Sequence, residues 1–497
     1  MLLILRRGRL FSISLSGKHA HVVDAINAYP DGATPKDVWV DEMLVVGRRA
    51  ILVGFDRRLC ANTVSRVRIG AGGRLAFEDS YQFRGVTRTS PYEIPPRLIY
   101  GKLVLYSQTG LDTNDPIASY PAMRRFGAKD FGAVASARDL YVAPRLLSYQ
   151  VKYLHTLTMC DVALRTVRCH ATGVLGGEGQ VHMSKRAAYL WIADWYGPNA
   201  FVYRMPLDGD APRAVRAIGS PVAFRADDAS GSLDVVIEPQ FGHAGWAPNL
   251  DFQAIGLLTI PASAFGDGSG EMAPKDYRTL ATDGPAFAAR LSGDRFLYAD
   301  NLLGEHTVLH AVSLRDGKKS DLPVGFGVNT FEPIGGDVMA IGRNIVDEGS
   351  GQAYFESDTH LAAFRLDGTL AAGGHYLLPA SNSVEHIEPG FFFDAASSVI
   401  GLPVGRHLDP NASYKFDGSA TVTFLSYRDG ALQVLGEVGS PGADLNSDNC
   451  HSACTDWYGD TRPIFVDGRV FALMGYELAE LDPQTMRERT RLNFTPH

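Results

Sequence analysis

FVDGRVFALMG, residues 465–475, has the pattern of two strands joined by a tight turn: apolar residues, a glycine beside a polar residue, and a second apolar run. Glycine suits such a turn because it accepts the positive φ that a short hairpin connection needs. The same phrase recurs as VVGRRAILVG (45–54), LIYGKLVLY (98–106), LSGDRFLYA (291–299), IGGDVMAIG (334–342) and, in a weaker copy, MSKRAAYLWIA (183–193). Repetition of one supersecondary unit predicts a repeat architecture.

A second phrase, with polar and apolar residues mixed before a final Asp-Gly, lies between the copies of the first. It reads VYRMPLDG (202–209), HAVSLRDG (310–317), AAFRLDG (362–368) and TFLSYRDG (423–430). Taking both phrases as the centre of a four-stranded unit divides the chain into segments 39–83, 90–175, 177–220, 222–282, 284–325, 328–379, 384–440 and 461–493, preceded by a partial unit at 1–30. A short helix is expected around 121–128, within the largest insert.

Four-stranded units repeated in this number predict an all-β fold, a β-propeller of four-stranded blades that occupies residues 1–497 as one domain. Eight blades is the first choice and seven the second. The competing architecture is two consecutive β-sandwiches. No linker rich in proline, serine or glycine divides the chain, which disfavours that split.

Composition excludes several classes of protein. The net charge is −8, from 47 basic and 55 acidic side chains, and no basic block argues for nucleic-acid binding. No apolar run reaches the roughly 18 residues that a membrane span requires. The N-terminal MLLILRRGRLFSISL lacks the order of a signal peptide, so the chain is expected to start inside a repeat, without its export leader. A monomer is expected.

The five cysteines suggest two local disulfides and one free thiol. Cys160 and Cys169 flank a short stretch that can fold back on itself, and Cys450 and Cys454 enclose three residues, which leaves Cys60. Such pairs favour an extracytoplasmic protein. Two alternatives stay open. The first is five reduced cysteines in a cytosolic interaction platform. The second is a zinc site at Cys450, His451 and Cys454, which lacks a fourth ligand.

Several stretches, spread from one end of the chain to the other, resemble a known family. They include LLILRRGRLFSISL (2–15), AAYLWIADW (187–195) and ACTDWYGDTRPIFVDGRVFALMGYELAEL (453–481). The chain resembles the bacterial secreted β-propeller-domain proteins, a family without an assigned activity. The resemblance implies a propeller and export from the cytoplasm, and it implies no catalytic role. Family members usually carry an export signal before the first repeat, which this sequence lacks.

The sequence Asp-Trp-Tyr-Gly occurs twice, at residues 194–197 and 456–459. On loops of one propeller face, these residues can form an aromatic platform for a protein or glycan, because aromatic rings offer large contact areas with polar edges. The alternative is that they pack between blades. The predicted ligand-binding residues are Asp194, Trp195, Tyr196, Asp456, Trp457 and Tyr458.

Asp444, Asn446 and Asp448 place oxygen-bearing side chains at alternate positions, a pattern that suits calcium. The segment lacks the glycine and the final glutamate of an EF-hand loop, so a plain polar loop is the alternative. Glu93, Glu332 and Glu388 begin predicted strands and could line a central channel. Neither a nucleophile elbow, a phosphate loop nor an H-E-x-x-H motif is present in the sequence.

The sequence therefore favours a non-catalytic extracytoplasmic propeller that binds a protein or glycan partner through loops on one face. It predicts no cofactor for that role. The alternative is a calcium-assisted hydrolase with its site at the mouth of the central channel.

Overall fold

The structure is a computed structural model that describes residues 1–84, 94–112, 114–144, 146, 151–193, 199–238, 254–300, 306–347, 353–355, 358–367, 370–378, 382–383, 391–406, 420–440 and 461–496. In these ranges the secondary structure is β-strand and short 3₁₀ turns, which confirms the all-β prediction. The turns are Pro35–Asp37, Ala71–Gly73, Pro116–Ser119, Ala137–Asp139, Ala262–Ala264 and Pro274–Asp276. No described segment forms a helix with the length and apolar character of a membrane crossing.

The chain divides into two compact units, of which the first contains Met1–Thr282. Its five sheets are built almost entirely from antiparallel neighbours, numbered here in chain order. Sheet 1 contains β1 (Leu2–Arg6), β2 (Arg9–Ser14) and β3 (His21–Asn27). Sheet 2 contains β4 (Val38–Val46), β5 (Arg49–Asp56), β6 (Ala61–Ile69), β7 (Leu75–Arg84), β10 (Ala122–Arg125) and β11 (Gly132–Ala133). Sheet 3 contains β8 (Arg97–Ile99), β9 (Lys102–Gly110), β13 (Tyr153–Asp161), β14 (Arg168–Gly176) and β12 (Leu140–Tyr141).

The two remaining sheets of the first unit follow the same order. Sheet 4 contains β15 (Gln180–Met183), β16 (Ala187–Ala193), β17 (Asn199–Pro206), β18 (Arg213–Ile218) and β22 (Asp267–Glu271). Sheet 5 contains β19 (Ser220–Asp227), β20 (Ser232–Glu238), β21 (Ile255–Ile260) and β23 (Tyr277–Ala281). One insert between two strands of sheet 5 extends the preceding sheet. This insert contains β22, which pairs in parallel with β18 of sheet 4.

The second unit begins at Asp283, and its described residues form four larger sheets and one separate two-stranded sheet. Sheet 6 contains β24 (Ala288–Ser292), β25 (Arg295–Ala299), β26 (Val308–Ser313) and β27 (Lys319–Pro323). Sheet 7 contains β28 (Val328–Ile334), β29 (Asp337–Gly342), β32 (Thr359–Arg365) and β33 (Ala371–Leu378), with a separate hairpin of β30 (Ile345–Asp347) and β31 (Ala353–Phe355). Sheet 8 contains β34 (Asn382–Ser383), β35 (Phe392–Asp394), β36 (Val399–Arg406), β37 (Ala420–Arg428) and β38 (Ala431–Gly439). Sheet 9 contains β39 (Arg462–Val466), β40 (Arg469–Met474), β41 (Glu477–Leu481) and β42 (Glu488–Asn493).

Both recurring phrases form the predicted hairpins. The glycine phrase connects the first and second strands of a sheet, as in β39–β40, β24–β25 and β28–β29. The Asp-Gly phrase connects the third and fourth strands, as in β26–β27 and β37–β38. At the β39–β40 turn, Asp467 and Gly468 have φ of 50° and 72°. Two successive positive φ values define the type I′ turn, which matches the right-handed twist of the strands.

One local prediction is wrong. The segment 121–128 is not a helix, because Ala122–Arg125 forms β10 and pairs with β7. The residues AMRR contain no apolar stripe of helical period, and pairing with an open strand edge satisfies their backbone groups.

Among the described residues, seven apolar clusters form the core, and each joins two sheets that are neighbours in the chain. Four clusters connect sheets 1 to 5 in the first unit, and three connect sheets 6 to 9 in the second. In β16, Tyr189 and Trp191 pack toward sheet 5, whereas Leu190 and Ile192 pack toward sheet 3. Because successive side chains point to opposite faces, AAYLWIA is apolar throughout, as expected for a strand buried on both faces.

Candidate functional site

The predicted ligand-binding and calcium-binding residues lie outside the described residues. This holds for Asp194, Trp195, Tyr196, Asp444, Asn446, Asp448, Asp456, Trp457 and Tyr458, and for Cys450 and Cys454. Their roles stay predictions. Of the three carboxylates proposed for a channel, Glu332 is described: it is buried, and Oε2 lies 3.4 Å from Nη1 of Arg290.

Cys160 and Cys169 form the predicted disulfide. They face each other across β13 and β14, in an antiparallel register that places the two side chains next to one another. Cys60 is an exposed free thiol. The disulfide therefore cross-links the two strands that meet at the turn 162–167.

Arg66 of β6 holds this turn from the neighbouring sheet. Its buried guanidinium pairs with Asp79 of β7, with 2.6 Å between Nη2 and Oδ2. It also donates to the backbone carbonyls of Val162 (3.0 Å), Arg165 (2.9 Å) and Leu164. The hydrogen bonds that Arg66 donates to Asp79 raise the pKa of Arg66. Charge-assisted bonds of this kind are among the stronger ones in proteins, so sheet 2 fixes the disulfide hairpin of sheet 3.

His155 of β13 is a buried neutral histidine. Its Nε2 lies 2.7 Å from the carbonyl oxygen of Gly177, and its Nδ1 lies 2.7 Å from Oη of Tyr106. Because a carbonyl can only accept, Nε2 carries the proton and Nδ1 accepts from the phenol. Burial lowers the pKa of His155 to about 4. Every polar atom of the ring is therefore used in holding sheet 3 together.

A denser cluster of titratable side chains lies on one face of sheet 6. Tyr298, His310 and Asp321 are opposite one another on β25, β26 and β27. His310 is 4% exposed, its Nδ1 lies 2.7 Å from Oδ1 of Asp321, and its ring stacks on Tyr298 with 4.4 Å between centroids. On the other side of the ring, Nε2 lies 3.4 Å from Oδ2 of Asp300. The imidazole is thus placed between two carboxylates.

Lys319 and Asp283 extend this cluster. The ammonium of Lys319 pairs with Asp283 and lies 3.3 Å from Oδ1 of Asp321. Tyr298 donates its hydroxyl proton to Asp283 over 2.8 Å. Burial alone would raise the pKa of Asp283, but the bonds from Lys319 and Tyr298 outweigh it and hold that pKa below its usual value. Burial, aided by the bond to Asp283, raises the pKa of Tyr298.

The arrangement defines what the cluster can do. A phenol with a raised pKa stays protonated and donates, so Tyr298 cannot act as a base near neutral pH. His310 lies between Asp300 and Asp321, and each charged group of the cluster is already paired with another member. The geometry is that of a network that ties three strands together rather than of an open reaction site.

Sequence reasoning missed this network. Its members are spread over 283–321, and no local motif joins them. The sequence offers only a weak indication of this network. Tyr298 and Asp300 are two residues apart, as are Lys319 and Asp321, so each pair points to the same side of the chain where it is extended. Among the residues that the structure describes, no three His, Cys, Asp or Glu side chains are grouped as metal ligands.

Comparison with known proteins gives no family. No family model matches the chain, and no curated protein matches it. The chain is similar to solved structures of prolyl endopeptidases (9% identity, TM-score 0.39), of a puromycin-hydrolyzing peptidase of Mycobacterium tuberculosis (11%, 0.37) and of the tricorn protease (12%, 0.31). The matches cover 90%, 89% and 91% of this chain, but only 54%, 58% and 44% of those proteins. TM-scores below 0.5 assign no fold, and identities this low assign no activity.

Proposed function

We propose that the sheets are blades of a β-propeller that acts as a non-catalytic scaffold and binds a protein or glycan through its loops. The observation that supports this most is the packing order. Within each unit, consecutive sheets bury apolar clusters between them, and the middle strands β16 and β37 contribute side chains to a cluster on each of their two faces. Radial repetition of four-stranded sheets places each blade between two others in this way.

The disulfide supports a location outside the cytoplasm, because such bonds persist in oxidising compartments. The networks around Arg66, His155 and His310 support a scaffold role, since their polar groups are used in joining strands and sheets. We assign partner binding to the segments that carry Trp195 and Trp457, because their aromatic rings offer large contact areas with polar edges.

Alanine substitution of these two tryptophans tests the proposal. Trp195→Ala and Trp457→Ala should abolish binding to a defined glycan array or to biotinylated envelope proteins that bind the unaltered chain. The melting temperature should stay nearly unchanged. Trp191→Ala is the matched control, because this tryptophan is 1% exposed in a core cluster and its loss should lower the melting temperature instead.

Two results would contradict the proposal. A large fall in melting temperature in Trp195→Ala and Trp457→Ala would show that these residues pack within the core. Stoichiometric calcium in the purified protein, together with an activity that chelation removes, would favour the hydrolase instead.

A further inference from the structure

Two imidazoles meet on one face of sheet 7, apart from the networks described above. His360 lies opposite Leu377 in the antiparallel pair β32–β33, and His375 is two residues from Leu377 on the same strand. Residues two apart on a strand point to the same face, so the two histidines are diagonal neighbours across the strand pair. His375 is exposed, and His360 is half-buried.

The ring nitrogens of this pair face each other. Nδ1 of His360 lies 3.1 Å from Nε2 of His375, and the ring planes are 21° apart. Phe326, which is 2% exposed, stacks on His360 with 4.7 Å between centroids and 10° between planes. The buried phenylalanine thus fixes the plane of one imidazole, and the exposed His375 ring lies beside it, edge to edge.

We propose that His360 and His375 together bind one divalent transition-metal ion of the zinc, copper or nickel class. Imidazole nitrogen is a preferred ligand of these metals. Metal–nitrogen bonds of about 2.0–2.1 Å at a tetrahedral angle place two ligand nitrogens about 3.3 Å apart. The observed 3.1 Å is close to this spacing, and the rings must turn so that both lone pairs point at the ion.

Binding requires both facing nitrogens to be unprotonated. When the metal is bound, the ring that donates the present hydrogen bond must carry its proton on its other nitrogen. Water molecules complete the coordination, and they leave positions that a side chain from outside can take. This site does not depend on the proposed partner-binding loops.

Zinc titration of the full chain, after removal of metals with a chelator and dialysis, tests the proposal. Isothermal titration should show one saturable Zn²⁺ site per chain, and His375→Ala should weaken it by about tenfold or more, since even residues that only support a ligand cost this much. His170→Ala is the matched control, because it removes another strand histidine with a 51% exposed side chain. Its affinity should equal that of the unaltered protein.

Paramagnetic resonance of bound Cu²⁺ gives an independent measurement. The spectrum should show hyperfine coupling to two imidazole nitrogens in the unaltered chain and to one in His375→Ala. If His375→Ala shows altered circular dichroism, His375→Gln replaces it in both experiments. Absence of saturable Zn²⁺ binding, or an affinity in His360→Ala and His375→Ala equal to that of the unaltered chain, would overturn the proposal. Loss of binding in His21→Ala instead would assign the metal to the exposed pair His19 and His21.

Discussion

Two adjacent strands of sheet 9 differ sharply in what surrounds them. All five residues of the middle strand β41 are buried, whereas none of the six residues of the edge strand β42 is. Ala479 and Leu481 of β41 join the cluster shared with sheet 8. The comparison shows that the position of a strand within its sheet decides how much burial energy its side chains supply.

The same comparison explains the charged residues. Glu477 and Glu480 are buried in β41, and each carboxylate lies 2.6 Å from an arginine, Arg491 of β42 or Arg469 of β40. A buried charge is tolerated when it is paired and hydrogen-bonded. Neighbouring strands therefore supply the cations that let a middle strand carry acids.

Trp191→Ala should give the largest effect. Trp191 is 1% exposed in the middle strand β16, and its Nε1 donates to the carbonyl of Gly219 over 3.1 Å. We expect the free energy of unfolding to fall by about 3–5 kcal/mol because a large cavity opens, as measured by urea denaturation. Val434→Ala on the edge strand β38, where this side chain is 51% exposed, should change it by less than about 0.5 kcal/mol. Equal effects would break the distinction between middle and edge strands.

Arg66→Met should cost about 3 kcal/mol or more in the same measurement, because it leaves Asp79 as an uncompensated buried charge. The double variant Arg66→Met with Asp79→Leu should recover part of that loss. Arg489→Met is the edge-strand control, since its ion pair with Asp482 has an arginine side chain that is 54% exposed. Its expected cost is below about 1 kcal/mol. If Arg66→Met costs less than about 1 kcal/mol of unfolding free energy, Arg66 does not fix the disulfide hairpin as inferred.

His155 gives the middle strand β13 a pH dependence. Its pKa is about 4 in the folded protein and about 6.5 when unfolded, so the unfolded chain binds more protons between these values. Above about pH 6.5 the neutral ring contributes its full stabilisation to the free energy of unfolding. As the pH drops toward 4, this contribution falls by at most about 1.4 kcal/mol per pH unit, roughly 3 kcal/mol in total. Urea denaturation from pH 7 to 4.5 should show a smaller fall in His155→Gln. An identical pH profile in both proteins would contradict the buried neutral histidine.

The turns and the strand pattern could be read from the sequence. Gly468 and Gly293 mark first hairpins because their positive φ is costly for other residues, and the unbroken apolar run AAYLWIA indicates a strand buried on both faces. The Cys160–Cys169 pair was also predictable, since only nine positions separate the two thiols. The helix predicted around 121–128 is wrong, because Ala122–Arg125 forms a strand whose partner is the distant β7.

The sequence by itself thus determined the all-β class, the hairpins and one disulfide, since these depend on residues close together in the chain. The tertiary structure alone decided which charges meet: Arg66 with the turn after β13, His310 between Asp300 and Asp321, and His360 beside His375. These contacts depend on which strands pair and which sheets pack together. The physical reason is that a local pattern encodes the turn and the face of a residue, whereas its neighbour on the next strand or sheet is chosen by the folded chain.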